Sequence, residues 1–154
     1  MKGFPEATPG YLVWRLAMAW RVAVDRALAP LGLTHAQYTV LASLHGMERA
    51  GVRPSQRELA DHVGLEPIYV SKLARALEAN GLLTRTEHPA DTRAVQLALT
   101  DRGKEVAQQA IGIVHDLLEQ LTAPFGGLKS ERTRAFTQEL AVLLAPQLGK
   151  ETEE

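Results

Sequence analysis

Between Pro67 and Asn80 the apolar residues Val70, Leu73, Ala74 and Leu77 recur at three- and four-residue steps. At about 100° per residue they gather on one side of a helix, a stripe wide enough to dock it on a core. Ile68, Lys72 and Arg75 gather opposite, with Ser71 and Tyr69 at the two margins. A shorter helix precedes it, SQRELADHVG, opened by Ser55 and Glu58 as a capping box and closed by Gly64. Pro67 stands where the first turn of a new helix tolerates a missing N–H, and Gly81 stops that helix. The period then changes. Leu82 to Glu87 alternates weakly, while Val95, Leu97 and Leu99 alternate cleanly with Ala94, Gln96 and Ala98 as a half-buried strand does. His88-Pro89-Ala90-Asp91-Thr92-Arg93 reads as the turn between the two strands. Two helices joined by a tight turn, followed by a hairpin, form a winged helix-turn-helix whose second helix enters a DNA groove.

The flanking segments are helical and carry surplus apolar surface. Tyr11 to Leu31 places Leu12, Leu16, Trp20, Ala23 or Val24, and Ala27 at helical steps. Thr34 and Gln37 form a second capping box, opening a helix with Tyr38, Val40, Leu41 and Leu44. Thr100 caps a long helix through about Leu121, with Ile111, Val114, Leu117, Leu118 and Leu121 on its apolar side. Pro124, Gly126 and Gly127 break it, and a last helix from about Ser130 to Leu144 bears Phe136, Leu140, Leu143 and Leu144. The expected fold is mainly α with a small β-hairpin wing, one domain over 1–154. Within it, 33–100 is the DNA-binding lobe, and 8–31 with 101–148 form a helical dimerisation element. A winged helix needs little of that extra surface, so an isologous homodimer is expected, with recognition helices about 34–36 Å apart.

Composition narrows the picture. The formal net charge is −1, whereas DNA-binding domains are usually basic. Residues 1–52, 53–104 and 105–154 carry +2, +1 and −4, so the acidity sits away from the proposed reading head. Absence of cysteine excludes disulfides, thiolate metal sites and thiol redox sensing. No apolar run approaches the roughly 20 residues that cross a bilayer, and the N-terminus lacks a secretory profile, so a cytoplasmic protein without a membrane partner is expected. His35, His45, His62, His88 and His115 show no metal-ligand spacing. No phosphate-cradling loop or nucleophile elbow occurs, so neither an enzyme nor a cofactor is expected.

On the exposed face of the second helix, Lys72 and Arg75 suit guanine edges or phosphates, Ser71 serves either, and Ile68 with Tyr69 supplies apolar contact. Ser55 and Gln56 open the preceding helix and complete the candidate DNA contacts, together with Asp91 and Arg93 on the wing. An arginine at a wing tip suits a narrow minor groove; Asp91 either holds that guanidinium or caps the turn. Two alternatives stand beside this reading. One is a winged-helix module that binds protein through Ile68 and Tyr69; the other is a metal-responsive regulator using His45, His115 and nearby carboxylates.

The order of motifs resembles the MarR family of bacterial transcription regulators across nearly the whole chain. The similarity rests on Gly32-Leu33-Thr34, on Tyr38 to Leu44, and on Asn80-Gly81-Leu82-Leu83. It rests further on His88-Pro89-Ala90-Asp91-Thr92-Arg93-Ala94 and on Leu99-Thr100-Asp101-Arg102-Gly103. That resemblance implies an obligate dimer on pseudo-palindromic double-stranded DNA, usually a repressor, released by a small and often anionic aromatic effector. It maps Ser71, Lys72 and Arg75 to groove-reading positions and Arg93 to the wing. One departure is Glu66-Pro67, which sets a carboxylate near the helix N-terminus where a phosphate would otherwise sit. The resemblance also implies an effector crevice formed by the first helix, the start of the second and the long helix. There Tyr11, Trp14, Arg15, Met18, Trp20, His35 and Tyr38 are the candidates; Arg15 suits a carboxylate, and Trp14 or Trp20 flanks a ring.

Overall fold

A computed structural model describes residues 6–148. In order, α1 is Pro9–Leu28, α2 His35–Arg49, α3 Gln56–Val63, α4 Pro67–Ala79, β1 Leu83–His88, β2 Asp91–Leu99, α5 Asp101–Thr122 and α6 Glu131–Leu148. Short 3-10 turns at Ala29–Leu31 and Ala123–Phe125 follow α1 and α5. The chain divides into two compact units, residues 1–113 and 114–154, whose outermost ends lie outside the described residues.

Local chemistry accounts for the element boundaries. Thr34 and Gln37, and again Ser55 and Glu58, close reciprocal capping boxes in which each side chain accepts from the other residue's backbone N–H. Gly64 ends α3 at φ 69°, a left-handed conformation that costs glycine nothing. The four apolar residues of α4, Val70, Leu73, Ala74 and Leu77, are all buried. They join Leu41, Leu44, Leu59, Leu83 and Leu97 in the core of the first unit. Burying such a side chain fully contributes about 1.5–3 kcal/mol, so this stripe anchors α4 to the lobe.

Three expectations, the end of the first helix, the end of the last and the length of the wing turn, need correction. Helix α1 ends at Leu28, because Pro30 brings no N–H and the chain tightens into a 3-10 turn closed by Gly32 at φ 71°. Its residues Leu12 and Leu16 stay exposed, and only Val24 and Leu28 of that helix are buried. Helix α6 continues past Leu144 to Leu148. The hairpin is also tighter than its six-residue turn suggests: His88 pairs with Asp91, leaving only Pro89 and Ala90 between the strands. Because Glu87 already pairs with Val95, residues Thr92, Arg93 and Ala94 oppose no partner and bulge from β2.

The junction into α5 is a knot of short bonds. The Thr100 hydroxyl donates to the Gly81 carbonyl at 2.6 Å and accepts from the Gly103 N–H at 2.9 Å. The Thr100 N–H donates to the Leu82 carbonyl at 3.1 Å. One threonine thus caps α5 while fastening it to the turn between α4 and β1.

Candidate nucleic-acid interface

Docking α4 through its apolar stripe turns Ile68, Tyr69, Lys72 and Arg75 outward, with Ser71 half-buried at the edge. Ile68 is 83% exposed, an unusual setting for an isoleucine on a helix with a well-buried opposite face. Pro67 occupies the first turn, and the Glu66 side chain makes no capping bond to the helix it precedes. Pro67 has no N–H, and the Tyr69 and Val70 N–H groups both donate to the Glu66 carbonyl at 3.0 Å, so the α4 N-terminus leaves little free N–H beside the Glu66 carboxylate.

A groove of about 310 Å³ joins the start of α3, the start of α4 and the wing; Gln56, Arg57, Pro67, Asp91 and Arg93 line it. Of the expected DNA contacts, Ser55, Gln56, Asp91 and Arg93 border this groove, while α4 contributes only Pro67 to it. Within it, the Asp91 carboxylate accepts from the Arg93 N–H at 3.0 Å. No ion pair between the two side chains forms, so Asp91 shapes the bulge and the exposed guanidinium is left to reach outward. Ser55 is buried and its hydroxyl is engaged by the Glu58 N–H at 3.1 Å. Gln56 accepts from Arg85 Nε at 3.4 Å. Arg85 also donates its N–H to Glu78 at 3.0 Å and pairs with that carboxylate at 3.9 Å, tying α3, α4 and β1 together. Sequence reasoning passed over Arg57 and Arg85. An exposed arginine just inside a capped helix was a readable signal for Arg57; the link made by Arg85 spans 29 residues and was not.

The residues expected to form an effector site separate into two groups. On α1, Tyr11 and Trp14 stack at 6.5 Å between centroids, and Arg15 donates to the Tyr11 hydroxyl at 3.1 Å. Met18 is exposed beside them, and Trp20 is half-buried. At the start of α2, His35 and Tyr38 stack at 6.5 Å, and the His35 N–H donates to Asp25 at 2.6 Å. Tyr11 and Asp25 stand 14 residues apart on one helix, about 21 Å at 1.5 Å per residue. The two groups therefore do not converge within one chain; of the α1 residues, Trp20 comes nearest. Burial lowers the His35 pKa below its ordinary 6.5, with Asp25 opposing and Arg21 adding to the fall. Burial alone raises that of Tyr38.

For metal binding, no group of three or more histidine, aspartate or glutamate side chains comes together among the described residues. His45 is buried, and exposed His115 lies 3.9 Å from Asp116. No described helix is long and apolar enough to cross a membrane.

Comparison with known proteins bears on the family and the fold. The model of the MarR family matches residues 33–95. An uncharacterized HTH-type transcriptional regulator of Bacillus subtilis, YdcH, is 34% identical over 136 residues, covering 88% of this chain and 91% of its own. An HTH-type transcriptional repressor of Mycobacterium bovis is 33% identical over 123 residues, covering 77% and 86%. Among solved structures, CouR from Rhodococcus jostii, bound to p-coumaroyl-CoA, aligns with a TM-score of 0.74 at 25% identity over 96% of each chain.

Proposed function

The chain belongs to the MarR family of winged helix-turn-helix transcription regulators, and from that premise we propose that it represses transcription as a homodimer on a pseudo-palindromic operator until a small ligand releases it. The observation that carries this reading is the division of α4 into a fully buried apolar stripe and an exposed face of Ile68, Tyr69, Lys72 and Arg75. Pro67, the first residue of the same helix, lines one groove with Arg93. Lys72 and Arg75 read base edges or phosphates in the major groove, Ser71 contributes from the margin, and Ile68 meets a thymine methyl. Arg93 enters the adjacent minor groove, where negative potential is greatest. At the α3 N-terminus, Gln56 and the backbone take the phosphate; Ser55 contributes by holding the helix end in place.

Dimerisation follows from what a single chain leaves uncovered. Tyr11, Leu12, Val13, Trp14 and Leu16 of α1 are exposed, as are Val142, Leu143 and Leu144 of α6. Surfaces of this kind are characteristically buried against a second copy. A partner chain also supplies what the effector residues lack: Tyr11, Trp14, Arg15 and Met18 of one copy would complete a crevice begun by Trp20, His35 and Tyr38. Arg15 would pair with a carboxylate there, and the bound CoA thioester of CouR supports ligand response in a protein of this fold. Release needs the ligand to favour one dimer geometry over the other, and only that affinity difference counts. The chain acts by binding, without catalysis, in the cytoplasm.

Fluorescence-anisotropy titration of DNA from upstream of the protein's own gene, against a scrambled duplex and across a salt series, tests the reading. Selective binding with a steep salt slope is expected, and Lys72→Ala or Arg75→Ala should cost about 1–3 kcal/mol and relax specificity at one position. Binding that does not distinguish the two duplexes, together with sensitivity to Ile68→Ala, would favour a protein partner instead.

A further inference from the structure

A second cavity, of about 580 Å³, opens within the first unit between the end of α2, the connection after it, the end of β2 and the first turn of α5. It shares no residue with the DNA-facing groove or with the expected effector positions. Its volume falls in the range of small-molecule sites, roughly 300–1,000 Å³.

Its lining is cationic. Arg49, Arg53 and Lys104 all border it, and none is in an ion pair among the described residues. One carboxylate, Glu48, lies among them, and its Oε1 is engaged by the Leu99 N–H at 2.9 Å. His45 also lines the cavity; it is only 8% exposed, and its ring makes no hydrogen bond to another described group. An imidazole keeps at least one N–H whatever its protonation state, and among the described residues no fully buried side-chain nitrogen lacks a partner, so the His45 ring donor reaches solvent at the cavity wall. The two helix ends offer opposite partial charges, carbonyls from α2 and amides from α5, so the side chains decide the sign. Three cations against one engaged carboxylate, gathered around one recess, favour an anion.

We propose that this cavity binds a small multivalent oxyanion of the phosphate type. The two guanidiniums suit bidentate contact with phosphate oxygens, Lys104 adds a point charge, and His45 donates from the wall. A monovalent ion would leave most of these donors unmet. Ala98 and Leu99 supply a wall against which the body of an organic phosphate would rest.

Isothermal titration with inorganic pyrophosphate, at ionic strength held constant with chloride, tests the site. One saturable event per chain is expected, and Arg53→Gln combined with Lys104→Gln should weaken it by roughly tenfold or more, because charge-assisted bonds are lost. Both side chains are exposed, so the double variant should keep the wild-type circular dichroism and melting temperature. Arg93→Ala should bind pyrophosphate as wild type does. Absence of a saturable heat at millimolar pyrophosphate, or unchanged affinity in the double variant, would overturn the proposal. So would loss of binding in Arg93→Ala, which would move the anion to the wing. None of these outcomes depends on operator binding, so the two readings stand or fall separately.

Discussion

Gly103 packs its α-carbon directly beneath the Leu82 carbonyl, and a β-carbon added there would overlap that oxygen. The same carbonyl accepts the Thr100 N–H, and Thr100 caps Gly103, so the backbone cannot move aside without breaking the α5 start. The glycine of the Leu-Thr-x-x-Gly motif is thus a requirement of close approach, since its φ is not left-handed. Gly103→Ala should destabilise the protein by about 1–3 kcal/mol or more, read as a lower midpoint in urea. An unchanged midpoint would mean that α5 starts elsewhere.

Arg93 stands in the β2 bulge with its N–H held by Asp91 and its guanidinium in no ion pair among the described residues. Arg93→Ala should weaken operator binding and lower the salt slope by about one, while dimer mass by light scattering stays the same. Asp91→Ala leaves the Arg93 guanidinium in place and removes the carboxylate that holds the Arg93 N–H and shapes the bulge. It should cost less, about 0.5–1.5 kcal/mol in binding, with the salt slope intact. Equal binding by wild type and Arg93→Ala would remove the wing from the interface.

His35 carries a pH dependence of defined sign. Burial holds its folded pKa below the ordinary 6.5, so the unfolded chain takes up a proton first as the solution is acidified. The resulting stability is fully present above pH 6.5 and is lost as pH falls through the folded value. His35→Gln should flatten the fall in melting temperature below neutrality by roughly 1–2 °C, measured against wild type in the same buffers. A variant that tracks wild type at every pH would show that the imidazole is solvated equally in both states.

The exposed leucines of α6 give the dimer a direct test. Leu143→Glu places a charge on a face that is polar-free at positions 142–144. A buried unpaired carboxylate costs several kcal/mol, so light scattering at micromolar protein should shift from two chains toward one. Circular dichroism should stay helical. A dimer that survives the substitution would place the interface away from this face.

The elements that could be read along the chain are those decided by neighbours three or four residues away. Ser55 with Glu58, Thr34 with Gln37, Gly64 and Pro67 announce helix ends through bonds inside a single turn. The inward and outward faces of α4 follow from its 3.6-residue period, so Lys72, Arg75 and Ile68 could be named as exposed without coordinates. The −1 net charge pointed away from DNA because a sum over residues carries no information about which face they occupy.

Tertiary structure decided whatever depends on partners distant in sequence. A composition of Pro, Asp and Thr at the wing suggested a long turn, but strand register drew His88 and Asp91 into pairing and forced the surplus residues, Arg93 among them, into a bulge. Ser55, whose hydroxyl its capping box engages locally, is buried because β2 packs beside it, with Ser55 bridging to Gln96 and the Pro54 carbonyl accepting from Leu97. The cavity of Arg49, Arg53 and Lys104 is closed by Glu48 meeting Leu99 across 51 residues. Local amphipathic pattern and capping were enough to specify which helices form and how α4 faces, because their energies are set within a turn. Which cations share a recess, and whether Ser55 is buried, was settled only when the chain folded back on itself, because those contacts join segments that no local pattern relates.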